Sequence, residues 1–257
     1  MGKFDRIGEE IVNNFGSKMV IKEYRCAKDI DVYFPEYDWT FEHARYDAFK
    51  NGKIKCPYEP RVYGYGYLGE GKYNAKENGK HTDKYIIWHG TLKRCYDPKY
   101  QEKHNNYKGC QVEDKWLNFQ HMGEWIEENY YEIPGETMCL DKDILCKGNK
   151  IYSRDACVFV PQRINTLFTK RDNDRGDCPI GVTPRPSGNY QVYCNDEYGK
   201  TICLGTYKTK EEAFYVYKEY KERVIKEVID SYKGKIPEPY YSRLKEAMYN
   251  YKVEIDD

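Results

Sequence analysis

Two dipeptides, Ser187-Gly188 and Tyr198-Gly199, cut part of this chain into runs too short for much except a tight antiparallel sheet. The runs are Gly181-Val182, then Asn189 to Cys194 (NYQVYC), then Thr201 to Tyr207 (TICLGTY). The latter two carry the β-branched and aromatic residues that suit a pleated surface. Thr209 follows directly, and Glu212 stands three positions later, the spacing of a capping box. The pattern predicts three strands and a helix reaching about Tyr232, with Ala213, Tyr217, Val224 and Val228 buried against the sheet. Pro237 and Pro239 end that helix, and Tyr240 to Tyr251 reads as a last one.

A second stretch, Glu136 to Lys170, concentrates the chemistry. Thr137 to Leu140 reads as a strand, Ala156 to Val160 as another, and Pro161 presets φ for a first helical turn. Between the strands lie Asp141, Lys142, Asp143, Lys147, Gly148, Asn149 and Lys150. Carboxylates, amines and an amide crowded into one loop suit a site that handles metal and phosphate. The polar run after it, TKRDNDRGD, reads either as a solvated linker or as an arm that tracks phosphate through Lys170 and Arg171.

Upstream, the alternation in DIDVYF puts Ile30, Val32 and Phe34 on one face, and Asn13-Asn14 with Gly16 marks a turn before Met19-Val20-Ile21. These short runs predict a small β-barrel or curled sheet with a basic end at Lys50, Lys53 and Lys55. The string Gly64-x-Gly66-x-x-Gly69 matches a dinucleotide fingerprint, but more glycine and a polar run follow where a helix is needed. It reads as a connector separating that module from the next. Tyr85, Trp88, Leu92 and Cys95 then recur at helical spacing, and a second helix runs from about Glu113 to Asn129. On it His121 and Trp125 lie one turn apart, which lets His121 face a groove.

Composition narrows the classes. Formal net charge is zero, from 42 basic and 42 acidic residues, so any phosphate contact must come from local patches. Apolar runs fall far short of the ~20 residues that span a bilayer. MGKFDRIGEE leads into no apolar stretch, so no signal peptide is expected and the expected location is the cytoplasm. Ten cysteines are scattered without Cys-x-x-Cys spacing and read mostly as small buried hydrophobes. The chain has 28 tyrosines against nine phenylalanines, rings that can pack, stack on a base or reach a phosphate.

From Gly181 to Tyr217 the chain resembles the plant ethylene-response-factor (AP-two/ERF) DNA-binding domain. The matched positions are Gly181-Val182, Arg185-Pro186, Gly188, Tyr190, Leu204-Gly205-Thr206-Tyr207, Thr209 and Glu212-Ala213. Members of that family lay a three-stranded sheet in the major groove. The resemblance implies double-stranded DNA as partner, with contacts from Arg185, Asn189, Gln191 and Tyr193, joined by Lys170 and Arg171 of the linker. Arg185 keeps a basic residue where the family's contacts lie. Thr183, Ser187, Asn189, Tyr193 and Asn195 stand where plant members usually carry Arg, Trp, Lys, Glu and Arg.

The central stretch is similar to the HNH-type nucleases of phages and homing elements, in which a ββα unit cups one divalent metal. The likeness extends from His89 through TLKRCYDP, the Trp116-Leu117-Asn118-Phe119 helix, LDKD, GNK and CVFVPQRIN. It implies Asp141 and Asn165 as ligands of Mg²⁺ or Mn²⁺ and Asn149 as the loop residue that orients the base. Lys142 stands where the general-base histidine belongs. A lysine, with a reference pKa of about 10.4, cannot take a proton from water near neutral pH without a large shift. The resemblance then leaves Asp143 as base, His121 or His89 from a neighbouring helix, or Lys142 as a stabiliser of phosphate charge.

The expected fold is α+β. It comprises a small β-barrel over residues 1–60, helices and an HNH-like ββα unit over 61–172, an ERF-like sheet on one helix over 178–235, and a helical tail over 236–257. The expected activity is that of a phage-type DNA-binding protein on an endonuclease-like scaffold, acting in a bacterial host and cleaving DNA if it binds metal. The alternatives are a catalytically silent DNA-binding regulator and a protein that counters host defence by binding a host protein.

Overall fold

The computed structural model describes residues 6–169 and 178–255, a mixed α+β chain in two compact units that divide between Glu128 and Asn129. The expected contacts Lys170 and Arg171 lie outside the described residues.

In the first unit, β1 (Glu10–Val12), β2 (Lys18–Cys26), β3 (Asp29–Phe34) and β4 (Trp39–Ala44) form an antiparallel meander in sequence order. The DIDVYF alternation holds, with Ile30, Val32 and Phe34 fully buried. At the β1–β2 turn, Asn13 Oδ1 accepts from the backbone of Phe15 at 3.0 Å and Ser17 at 2.9 Å. The expected barrel is corrected to an open sheet: β1 and β4 remain its edges. A three-residue β1 is too short to reach round and close it. Register shifts in the β2–β3 and β3–β4 pairs curl the sheet, and Phe49 of α1 (Tyr46–Lys50), with Ile54 and Cys56, fills the core. The basic end is partly neutralised, because Lys50 pairs with Glu9 at 3.0 Å and Lys55 covers the Phe15 ring.

The glycine-rich connector packs into this unit and does not mark a boundary. A Cβ at Gly66 would overlap Trp88 and Leu92 of α2 (Asp83–Tyr96). Short strands β5 (Lys76–Glu77) and β6 (Lys80–His81) precede α2, whose first turn Thr82 caps by accepting from the Tyr85 backbone N–H at 3.3 Å. After α3 (Pro98–Lys103) and β7 (Gln111–Val112), the helix expected from Glu113 to Asn129 is broken into α4 (Asp114–Leu117) and α5 (Phe119–Asn129). Asn118 is extended between them. It forms a parallel bridge to Tyr67 and its Oδ1 accepts from Gln120 N at 2.9 Å, so a connector residue ends one helix and a side chain starts the next.

In the second unit, β8 (Met138–Asp141) pairs antiparallel with β10 (Val158–Pro161), and α6 (Gln162–Leu167) follows. The loop between holds the short β9 (Ile151–Tyr152). Pro161 ends the strand and caps the helix from outside, one residue earlier in role than expected. Then β11 (Val182–Pro184), β12 (Tyr190–Asn195) and β13 (Thr201–Tyr207) form an antiparallel sheet in sequence order. Thr209 caps α7 (Lys210–Ser231), accepting from Glu212 N at 3.1 Å, and α8 (Tyr240–Asn250) closes the chain.

The length of α7 changes the expected domain plan. Its first turns bury Ala213, Phe214 and Tyr217 against the sheet. Val224 and Val228, expected on that same sheet, pack instead with Val158, Val160, Ile164, Leu244 and Met248. One helix therefore belongs to two cores, and the boundaries expected at residues 172 and 235 do not separate compact units. No helix among the described residues is long and apolar enough to cross a membrane.

Candidate functional site

Strand β8 delivers Asp141 to the mouth of the charged loop, opposite Val158. There the irregular backbone claims it: Asp141 Oδ1 accepts from the N–H of Asp143 at 2.8 Å and of Ile144 at 2.7 Å. Burial first, then the neighbouring Asp143 charge, pushes the Asp141 carboxyl up to about 6 against the pull of those two N–H groups. Lys142 is buried, and its ammonium donates to Asp143 Oδ2 at 2.9 Å while lying 5.9 Å from the centre of the Tyr152 ring. Asn149 Nδ2 donates to the carbonyls of Lys142 and Ile151, both at 2.7 Å, and its Oδ1 accepts from Ile151 N at 3.2 Å. Asn149 thus ties the two sides of the loop together.

Asn165 sits half-buried on α6, and among the described residues no hydrogen bond joins its side chain to Asp141 or Asp143. His121 is exposed on α5, where its Nδ1 meets the Lys115 carbonyl at 3.2 Å across the break after α4. Its neighbour one turn on, Trp125, is buried, so the two do not share a groove. His89 packs against Tyr63 and Tyr85, and burial, with the nearby His81 and Lys93 charges, lowers its pKa and favours the neutral ring.

A carboxylate group of a different kind lies in the first unit. Among the described residues, Asp29, Asp31 and His43 bring three ligand atoms within 4.8 Å of one another. DIDVYF alternation puts both aspartates on one face, a signal visible in sequence, but His43 joins them only through a left-handed backbone at φ 57°. A cation is already in place. Arg25 donates to Asp29 at 2.8 Å and to Asp31 at 3.1 Å, and Arg25 followed by His43 draws the Asp29 carboxyl down to about 2. A metal would have to displace the guanidinium.

The C-terminal sheet has two unlike faces. Val182, Val192 and Cys194 are buried towards α7. Thr183, Tyr193, Asn195, Thr201 and Cys203 are exposed on the other side, with Gln191 half-exposed among them. The register places Gln191 between Thr183 and Thr206, Tyr193 opposite Cys203, and Asn195 opposite Thr201. A bulge after Val192, accommodated by Gly205 at φ 132°, keeps these side chains on one face. They bond to each other: Tyr193 Oη donates to Gln191 Oε1 at 2.8 Å, Gln191 Nε2 to Cys203 Sγ at 3.0 Å, and Thr201 Oγ1 to Asn195 Oδ1 at 2.7 Å. Arg185 and Asn189 belong to the β11–β12 turn, where Arg185 N donates to the Asn189 carbonyl at 2.8 Å. Of the contacts expected for nucleic acid, Gln191 and Tyr193 are therefore together on the face, and Arg185 and Asn189 stand at its end. Cys203 and Thr201 were missed, although strand alternation marks both.

Compared with protein-family models, with curated proteins and with solved structures, the chain matches none.

Proposed function

We propose that this protein binds double-stranded DNA through the exposed face of β11, β12 and β13, an ERF-type sheet, and that β8, its loop, β10 and α6 are an HNH-type ββα unit kept as scaffold. The carrying observation is the asymmetry of the sheet: one face is packed on α7, while the other presents two hydrogen-bonded groups of polar side chains, Tyr193–Gln191–Cys203 and Thr201–Asn195. The major groove admits a two-stranded β-ribbon, the width that β12 and β13 present. Arg185, Lys200 and Lys208, all exposed around the sheet, are the cations that can meet phosphate, beside Asp196 and Glu197 of the β12–β13 turn. A gel shift with random-sequence duplex at low ionic strength tests the reading. Salt-sensitive binding that EDTA leaves unchanged, and that Arg185→Ala with Lys200→Ala and Lys208→Ala weakens, is expected; no shift at low salt overturns it.

Metal-dependent cleavage is the second reading, favoured by the two crowded carboxylates, one of them with a raised pKa. The donor set fits a metal poorly. Asp141 gives Oδ1 to two backbone N–H groups, and one oxygen of Asp143 is already paired with the Lys142 ammonium. No step of hydrolysis follows from these residues, since Lys142 beside two carboxylates is a proton donor and not a base. Supercoiled DNA with protein and Mn²⁺ should stay intact. Nicking that disappears in Asp141→Ala with Asn165→Ala would restore the nuclease.

A further inference from the structure

Gln191 has the surroundings of a base reader. It is the second residue of β12, the central strand, half-exposed on the open face, and its neighbours across both ladders are the small Thr183 and Thr206. Each end of the amide is held once from within the sheet. Tyr193 Oη donates to Oε1 at 2.8 Å, and Nε2 donates to Cys203 Sγ at 3.0 Å. A primary amide has two acceptor positions on oxygen and two N–H donors, so one of each remains for a partner.

We infer that Gln191 reads adenine in the major groove, using the remaining Oε1 acceptor and Nε2 donor against the N6 amino group and N7. This rests on the DNA reading above and adds the base that the sheet selects. Adenine is the base that offers a donor and an acceptor side by side on its major-groove edge. Guanine offers two acceptors there, one of which would face the amide oxygen, and thymine and cytosine can satisfy only one half of the amide. Orientation is the second part of the argument. A glutamine free to rotate loses much of its affinity to ordering, whereas one tethered at both ends is ordered beforehand. Tyr193 Oη and Cys203 Sγ each hold one end of the amide, and Tyr193 so acts as a positioning residue.

The test is selection of bound duplexes from a randomised pool at low salt, followed by sequencing, with the full chain as wild type, Gln191→Ala, Gln191→Arg and Tyr193→Phe. Wild type is expected to enrich A·T at one position by about tenfold. Gln191→Ala should erase the preference at that position and leave any others, and Gln191→Arg should move it to G·C. Tyr193→Phe should weaken the preference at that position more than at any other, a positional change that mere loss of folding would not produce. If duplexes are retained and enriched but Gln191→Ala leaves every preference unchanged, the inference falls and DNA binding stands. If no variant, wild type included, retains duplex, the DNA reading itself falls.

Discussion

The loop from Asp141 to Asn149 and the open face of β12 and β13 are made from the same kinds of polar residue, yet they use them in opposite ways. In the loop, Asp141 and Asn149 bond to backbone N–H and C=O groups of the loop itself, and Lys142 turns inward to Asp143. On the sheet, Gln191, Tyr193, Asn195, Thr201 and Cys203 bond side chain to side chain. The cause is the backbone. An irregular loop leaves main-chain groups unpaired, and the nearest carboxylate or amide captures them. A ladder pairs its own main chain, so side chains above it turn mainly to one another, water or a ligand. Polar crowding in a loop is therefore spent largely on the backbone, whereas polar side chains over a completed ladder stay at the surface.

Removing the amide from each region should separate them most. Asn149→Ala deletes three bonds to loop backbone and is expected to lower stability by about 2 kcal/mol, at roughly 1 kcal/mol for each bond less what water recovers. Gln191→Ala should stay within about 0.5 kcal/mol, as surface changes do. Urea unfolding of both variants checks this, and equal losses would mean that the sheet network is structural too.

Next in size is the buried amine. Lys142→Met removes the charge that offsets Asp143, and a loss of about 1 to 2 kcal/mol is expected, below the usual value for a broken buried pair because the Asp143 side chain is 42% exposed. Adding Asp143→Asn should recover most of it. A double-mutant cycle with no coupling would show that the pair holds nothing in place.

The loop also carries a pH signature that the sheet lacks. Asp141's folded pKa, at about 6, lies above the usual carboxylate value, so the proton is held more tightly in the folded state. Its contribution is full below the unfolded pKa of about 3.9 and is lost as pH rises towards 6. Asp141→Asn keeps an oxygen for the two N–H groups. It should match wild type near pH 4 and exceed it at pH 7 by on the order of 1 kcal/mol. Thermal melts across that window decide; a flat difference would place the raised pKa elsewhere.

Much of the fold was legible wherever a local signal decides the outcome. The Ile30, Val32 and Phe34 face, the turns at Gly188 and Gly199 and the Thr209 cap all follow from short-range chemistry. What was not legible depends on distant partners. Asn118 breaks a helix because Tyr67 bridges to it, and nothing in TrpLeuAsnPhe announces Tyr67. Val224 and Val228 show the same apolar spacing as Ala213 and Tyr217, and periodicity cannot say that they meet a different core. At the candidate site, sequence brought Asp141, Lys142, Asp143 and Asn149 into one loop but could not show that Lys142 is buried or that Asn149 faces backbone. Nor could it foresee that Arg25 fills the Asp29, Asp31 and His43 group.

The smallest expected effect is the sharpest test of the comparison. Tyr193→Phe deletes one hydroxyl, and with it the donation to Gln191 Oε1, without touching the ladder beneath. If the open face is organised for a partner, the exposed hydroxyl contributes little to folding, because water replaces it in the variant, and the melting temperature should stay within about 2 °C of wild type. The Gln191 side-chain amide, followed by NMR, should nevertheless shift towards the values of a freely rotating glutamine, since one of its two tethers is gone. A stability loss above about 1 kcal/mol would instead class the Tyr193 bond with those of Asn149, as part of what holds the chain folded. The distinction between the two regions would then fail at the residue chosen to define it.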